Sequence, residues 1–293
     1  MRKPLDRTSK ITVEMYAMIF DCCNRYHEYL AWKFPVECPG GNGCCGIDSG
    51  KLNNALRFEV PHLYRNEKGI IAKPIEYCFG KNVNYDQYSL LDYIEFISKN
   101  CKDISKRSWH KFSSQDELRF EDTKGIFKKF RQEINHTFDI TGALYTLTEF
   151  GIVERIVENS VLSSEMETVL MQIKEKGTKE LLEEAITLFK QPNPVSCKDA
   201  VEKIWDALER LKSYYPTMDK QKSVEKIVID MSGGDPNFRK LFNDEFFNLK
   251  DIGNNYRIRH HETSKVDITD NRHYEYFFNR CLSLIALAIK YLH

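Results

Sequence analysis

The sequence predicts a mainly α protein of two domains, the second an antiparallel helical bundle. Three observations carry that expectation. Apolar residues recur at three- and four-residue spacing through most of the chain. A helix stop, Gly233-Gly234, is followed at once by a helix start, Asp235-Pro236. Clear strand-like alternation appears in one short stretch, Ala143 to Thr148.

Taken in order, Ile11, Met15, Met18, Ile19, Cys22 and Tyr26 form the apolar face of an opening helix. Residues 35–84 carry several Pro, Gly and Asn and read as loops with room for short strands. Asp86 caps a helix that buries Leu90, Leu91, Ile94 and Ile97, and Phe127, Phe130 and Ile134 mark another. The Ala143–Thr148 stretch, with Thr141-Gly142 as its turn, admits a small β-hairpin. Two further helices, around Val153–Lys174 and Lys179–Lys190, close this half.

The seam is expected at Gln191-Pro192-Asn193-Pro194, where two prolines forbid a continuing helix. It divides the chain into domains 1–191 and 192–293. Beyond it, Ser196 and Asp199 suggest a capping box opening a helix that buries Val201, Ile204, Trp205, Leu208 and Leu211. Val224, Ile227, Val228 and Met231 form the next. A third, from Asp235-Pro236, is expected to bury Phe238, Leu241, Phe242 and Phe246. Asp270 caps the last, whose face is Tyr274, Phe277, Phe278, Cys281, Leu284, Ile285 and Ala288. No internal repeat or low-complexity segment is visible.

Composition narrows the function. Lys plus Arg total 43 and Asp plus Glu total 43, so the formal net charge is zero. That excludes a polybasic nucleic-acid coat but not a local basic patch. The 42% hydrophobic and 29% charged content is that of an ordinary globular chain. The opening Met1-Arg2-Lys3-Pro4-Leu5-Asp6 has no apolar run behind it, so no secretory signal is expected. The longest nearly uncharged apolar run, Cys281 to Ile289, falls short of the ~20 residues of a membrane span. The nine cysteines are an odd count and read as reduced thiols in a cytoplasmic protein.

The densest polar cluster is Asn254-Asn-Tyr-Arg-Ile-Arg-His-His-Glu262. If the helix carrying Ile252 continues through it, Arg259 and His260 face the bundle or a partner subunit. Cations there need an ionic network or a ligand. The set suits metal-free cleavage of RNA. Imidazole exchanges protons with a ribose 2′-OH or a leaving oxygen near neutral pH, and guanidinium stabilises charge on the phosphorane. The same residues also suit a plain structural role at a helix end, and spacing alone leaves both readings standing.

A resemblance adds weight. Ala200-Val-Glu-Lys-Ile-Trp205-Asp-Ala-Leu-Glu-Arg-Leu-Lys212, Asp251-Ile-Gly-Asn-Asn255 and Ile258-Arg-His-His-Glu262 resemble the HEPN domains of AbiJ-type abortive-infection proteins. Phe58-Glu-Val-Pro-His-Leu-Tyr-Arg-Asn66, Leu91-Asp-Tyr-Ile-Glu-Phe-Ile97 and Tyr145-Thr-Leu-Thr-Glu149 resemble an AbiJ N-terminal domain. The resemblance implies a metal-independent antiviral endoribonuclease needing no cofactor. It implies a homodimer through the C-terminal domain, with an N-terminal sensor answering to a phage-derived trigger. The family pattern is Arg, four to six residues, then His. This chain departs from it, because Arg257 and His261 are separated by three residues and Arg259 directly precedes His260. Arg259, His260, His261 and Glu262 are the expected catalytic residues, and Asn255 and Arg257 the expected RNA contacts. The rival expectation is a non-catalytic sensor or a nucleotide- or partner-binding module.

Two weaker constellations remain. Cys22, Cys23, His27, Cys38, Cys44 and Cys45 crowd one window, but no Cys-x-x-Cys pair is present, so buried or idle thiols are favoured over a zinc site. Lys106, Arg107, Lys111, Lys124, Lys128 and Arg131, interleaved with Trp109, Phe112, Phe127 and Phe130, offer either an RNA contact or a solvated face over core aromatics. His62, His110 and His136 are isolated in sequence and read as structural. Ser232-Gly233-Gly234-Asp235-Pro236 lacks the Lys-Ser/Thr of a phosphate loop.

Overall fold

The computed structural model describes residues 7–39, 43–74, 83–110, 114–158, 160–258 and 264–292. Among them the chain is mainly helical, with ten α-helices and two small antiparallel sheets. It divides into two compact units, Met1–Ile156 and Val157–His293. The expected boundary at residue 191 is therefore displaced. The Gln191–Asn193 linker joins two helices that pack on each other inside the second unit. Proline marks a break in a helix, but not which side of the break the core lies on.

The first unit opens with α1 (Val13–Asn24), capped by Thr12, and a 3-10 turn, His27–Leu30. Short strands β1 (Pro35–Glu37) and β2 (Cys44–Ile47) lead into α2 (Ser49–Glu59). That helix, capped by Asp48, falls in a stretch expected to be loop. α3 (Gln87–Asn100) starts at Asp86, whose carboxylate accepts from Tyr88 N at 3.0 Å. The strands β3 (Asp103–His110) and β4 (Gln115–Glu121) were not expected from the sequence. They complete an antiparallel sheet of order β1-β2-β4-β3. Their alternation is hidden because both faces carry charge.

α4 (Gly125–Thr141) begins after Lys124, which adopts φ 58° and supplies no side-chain cap. The cap comes instead from Asp103 at the start of β3, which accepts from Gly125 N at 3.1 Å and Ile126 N at 2.7 Å. The expected hairpin exists as β5 (Tyr145–Leu147) and β6 (Val153–Arg155). Its turn is Thr148–Ile152; Gly142, at φ 76°, closes α4 instead. The core of this unit gathers Ile19, Phe20, Tyr93, Ile94, Phe130 and Phe138.

The second unit contains α5 (Ser164–Leu170), α6 (Lys176–Lys190), α7 (Pro194–Leu211), α8 (Lys220–Ser232), α9 (Pro236–Asn255) and α10 (Asn271–Ile289). α7 is capped by Asn193 with Pro194 at its first position, so Ser196 lies inside the helix and bonds Gln191 Oε1 at 2.6 Å. The expected capping box is corrected accordingly. Phe189 on α6 stacks on Phe278 of α10 with ring centroids 3.8 Å apart. Gly233 ends α8 in the left-handed region, and Asp235 caps α9. α9 buries Phe246, Leu249 and Gly253, but Phe238 and Leu241 remain 54% and 56% exposed. Periodicity identifies a helix face without telling how far its neighbours extend along it. Among the described residues no helix is long and apolar enough to cross a membrane.

Candidate functional site

The polar cluster begins where α9 ends. Tyr256 is the C-cap, with φ −98° and ψ 156°, so the helix does not continue into the cluster and the helical phase expected for Arg259 and His260 does not apply. Arg259, His260, His261 and Glu262 lie outside the described residues. Val266 N donates to Asn255 O at 3.0 Å, and Arg257 N donates to Val266 O at 3.0 Å, forming a parallel bridge between Tyr256 and Val266. Arg257 Nη1 pairs with Asp267 Oδ1 at 2.7 Å. Ile258 is buried in the bundle core. Tyr274 Oη donates to Ile268 O at 3.1 Å, tying the segment after Val266 to α10.

These bonds form a stem that closes the α9–α10 connection. Before the cluster the chain is held at Tyr256–Ile258, and after it at Val266 and Asp267. Of the two expected RNA contacts, Asn255 ends α9 with its side chain exposed, whereas the Arg257 guanidinium is engaged by Asp267.

On the same unit a cleft of about 620 Å³ opens between the end of α7, the start of α8 and the middle of α9. At its floor Glu209 accepts from Lys212 Nζ and Lys220 Nζ, each at 2.5 Å. Lys212 is 4% exposed, and burial pulls its ammonium below the usual lysine range. Burial also pushes the Glu209 carboxyl up, but the two lysines outweigh it and the group sits below its ordinary value. Sequence reading missed this cleft. The one available signal was the Phe246-Phe247 pair, of which a helix can turn only one member to the core.

The cysteine window resolves differently from the expectation of free thiols. Cys38 and Cys45 form a disulfide, with Cα atoms 5.2 Å apart. The β1–β2 pairing brings them together, since Glu37 lies opposite Cys44 and Cys38 N donates to Gly43 O at 2.9 Å. Cys22 and Cys23 are buried in α1, and no grouping able to hold a metal occurs among the described residues.

The basic, aromatic stretch is split by the fold. Lys106, Arg107 and Trp109 are exposed on β3, with Trp109 at 63%, and Arg107 makes two 2.6 Å bonds to Glu28. Phe130 is core, Phe127 packs against it, and Lys111 and Phe112 lie outside the described residues. His62 and His136 are exposed. Comparison with known proteins finds no matching family model, no matching curated protein and no matching solved structure.

Proposed function

We propose that the chain is a metal-independent endoribonuclease of the abortive-infection type, acting in the cytoplasm on RNA under control of its N-terminal unit. What supports the reading is the stem. Paired backbone and the Arg257–Asp267 ion pair hold the two ends of the segment bearing Arg259, His260, His261 and Glu262. Fixed ends lower the entropy lost when those side chains gather around a phosphate.

In the proposed reaction the ribose 2′-oxygen attacks the adjacent phosphorus, a 2′-O–P bond forms, and the 5′-O–P bond breaks. His260 accepts the 2′-OH proton and His261 delivers one to the leaving 5′-oxygen. Arg259 stabilises the charge that builds on the non-bridging oxygens, and Glu262 orients an imidazole. The products are a 2′,3′-cyclic phosphate and a 5′-hydroxyl. The proposal includes a homodimer through the second unit, for which the exposed Phe238, Leu241 and Tyr276 are the supporting observation. A phage-derived trigger acting through the first unit completes it.

A second reading, a non-catalytic sensor or nucleotide- or partner-binding module, is favoured by the prior engagement of Arg257 with Asp267. One experiment separates them: RNA cleavage by the purified full chain in excess EDTA, with Arg259→Ala and His260→Ala alongside. Cyclic-phosphate products lost in both variants are expected. Cutting that persists in both, or a wild type that never cuts even as a dimer challenged with infected-cell extract, sinks the nuclease.

A further inference from the structure

The cleft between α7, α8 and α9 is not used by the mechanism above, and its charges do not cancel. Glu209 is shared by two ammonium groups, Lys212 and Lys220, which leaves that trio one positive charge in surplus. Glu225, the other carboxylate at the rim, is taken by Arg239 at 2.6 Å. Lys250 pairs with no carboxylate among the described residues and adds a second surplus charge. A neutral ligand gains nothing from that field, whereas an anion does.

The apolar side is equally specific. Phe247 stands on the rim 65% exposed, while its neighbour Phe246 forms the buried wall. An exposed phenyl ring beside a surplus of positive charge is the pairing that holds single-stranded nucleic acid, with the base on the ring and the phosphate on the ammonium. Asn243 and Gln221 place neutral amides in the same cleft, able to bond a base edge. The volume, about 620 Å³, is in the range of sites for nucleotide-sized ligands. Lys250 lies six residues before Tyr256, a rise of about 9 Å along α9, so the cleft and the stem share one helix.

From this we infer that the cleft is a nucleotide subsite for the RNA strand. Phe247 stacks a base of the strand, and Lys250 receives a neighbouring phosphate. The inference rests on the nuclease reading for the identity of the strand, but binding in the cleft stands apart from cutting at the loop.

The test uses the full chain carrying His260→Ala, so that a fluorescein-labelled eight-nucleotide single-stranded RNA survives, and reads anisotropy in EDTA. Phe247→Ala and Phe247→Leu are expected to weaken binding about tenfold. Lys250→Ala is expected to weaken it several-fold and to lower the slope of log K against log salt by about 0.7, with Lys250→Arg restoring both. Both side chains are exposed, and circular dichroism checks that the variants fold. Equal binding by all variants overturns the inference, as does no binding at all. Displacement of the RNA by polyglutamate with no effect of Phe247→Ala also overturns it, because the cleft is then only an electrostatic sink.

The two readings fail separately. Cleavage lost in Arg259→Ala, with an unchanged KM in Phe247→Ala and Lys250→Ala, keeps the nuclease and removes the subsite. Binding that depends on Phe247 and Lys250, in a chain that never cuts, does the reverse.

Discussion

The indole of Trp205 lies where a side chain on Gly253 would stand. A Cβ at Gly253 would come 2.5 Å from Trp205 Nε1 and 2.7 Å from Cδ1, while that Nε1 donates to Leu249 O at 3.1 Å. The last turn of α9 is thus docked on α7 by one ring and one missing methyl, immediately before the stem. Gly253→Ala gains about 1 kcal/mol of helix propensity and loses about 1–3 kcal/mol to overpacking against a buried ring. Because the approach is as close as 2.5 Å, overpacking should win and the net destabilisation should lie toward the upper end of about 0–2 kcal/mol, read as a lower urea midpoint. A variant as stable as the wild type would show that the approach is not tight.

The Arg257–Asp267 pair is partly exposed, so its worth in stability is small, at most about 1 kcal/mol. Its expected value is positional. On the proposed nuclease reading, Asp267→Asn should leave the urea midpoint nearly unchanged yet lower RNA cleavage by about tenfold, with Asp267→Glu recovering most of it. Equal cleavage by all three proteins would show that the stem does not depend on this charge.

His27 and Tyr93 meet inside the first unit, where the imidazole nitrogen bonds the phenol. Burial lowers the His27 pKa to about 4 and raises that of Tyr93 well above its ordinary value. Because the folded-state pKa of His27 lies below the unfolded one, the unfolded chain binds the extra proton between about pH 6.5 and 4. The contribution is fully present above pH 6.5 and is lost as the pH falls through that window. It amounts to roughly 3 kcal/mol. Comparing urea melts of wild type and His27→Gln at pH 7.5, 5.5 and 4.5 isolates it, since the acidic groups titrate in both. The stability gap should shrink toward low pH, and a constant gap would refute the assignment.

The Cys38–Cys45 bridge encloses a short loop, so the chain-entropy account gives it about 2–3 kcal/mol. Iodoacetamide without reductant should leave Cys38 and Cys45 unlabelled, and reductant should lower the urea midpoint. A reducing compartment, as the proposed cytoplasmic function implies, would pull against the bridge. Trapping thiols at lysis decides between them. Labelled Cys38 and Cys45 would mean that the backbone pairing alone closes β1 on β2 in the cell.

What the sequence by itself determined is local. Asp86, Asp235-Pro236, Gly233 and Asp270 start or stop their helices where the chain chemistry places them, and the buried faces of α3, α7 and α10 follow their apolar spacing. These signals act within a turn or two, so they are readable without knowing the partners. The tertiary structure decided what depends on distant neighbours. Asp103 caps α4 across 22 residues, Cys38 meets Cys45 through strand pairing, and the Pro192–Pro194 seam lies inside a unit because α6 packs on α7. Phe247 and Lys250 look like ordinary helix residues until α7 and α8 close beside them and Glu209 is spent on two other lysines. Charge balance in a cleft is a sum over elements far apart in sequence, and only their packing sets its terms.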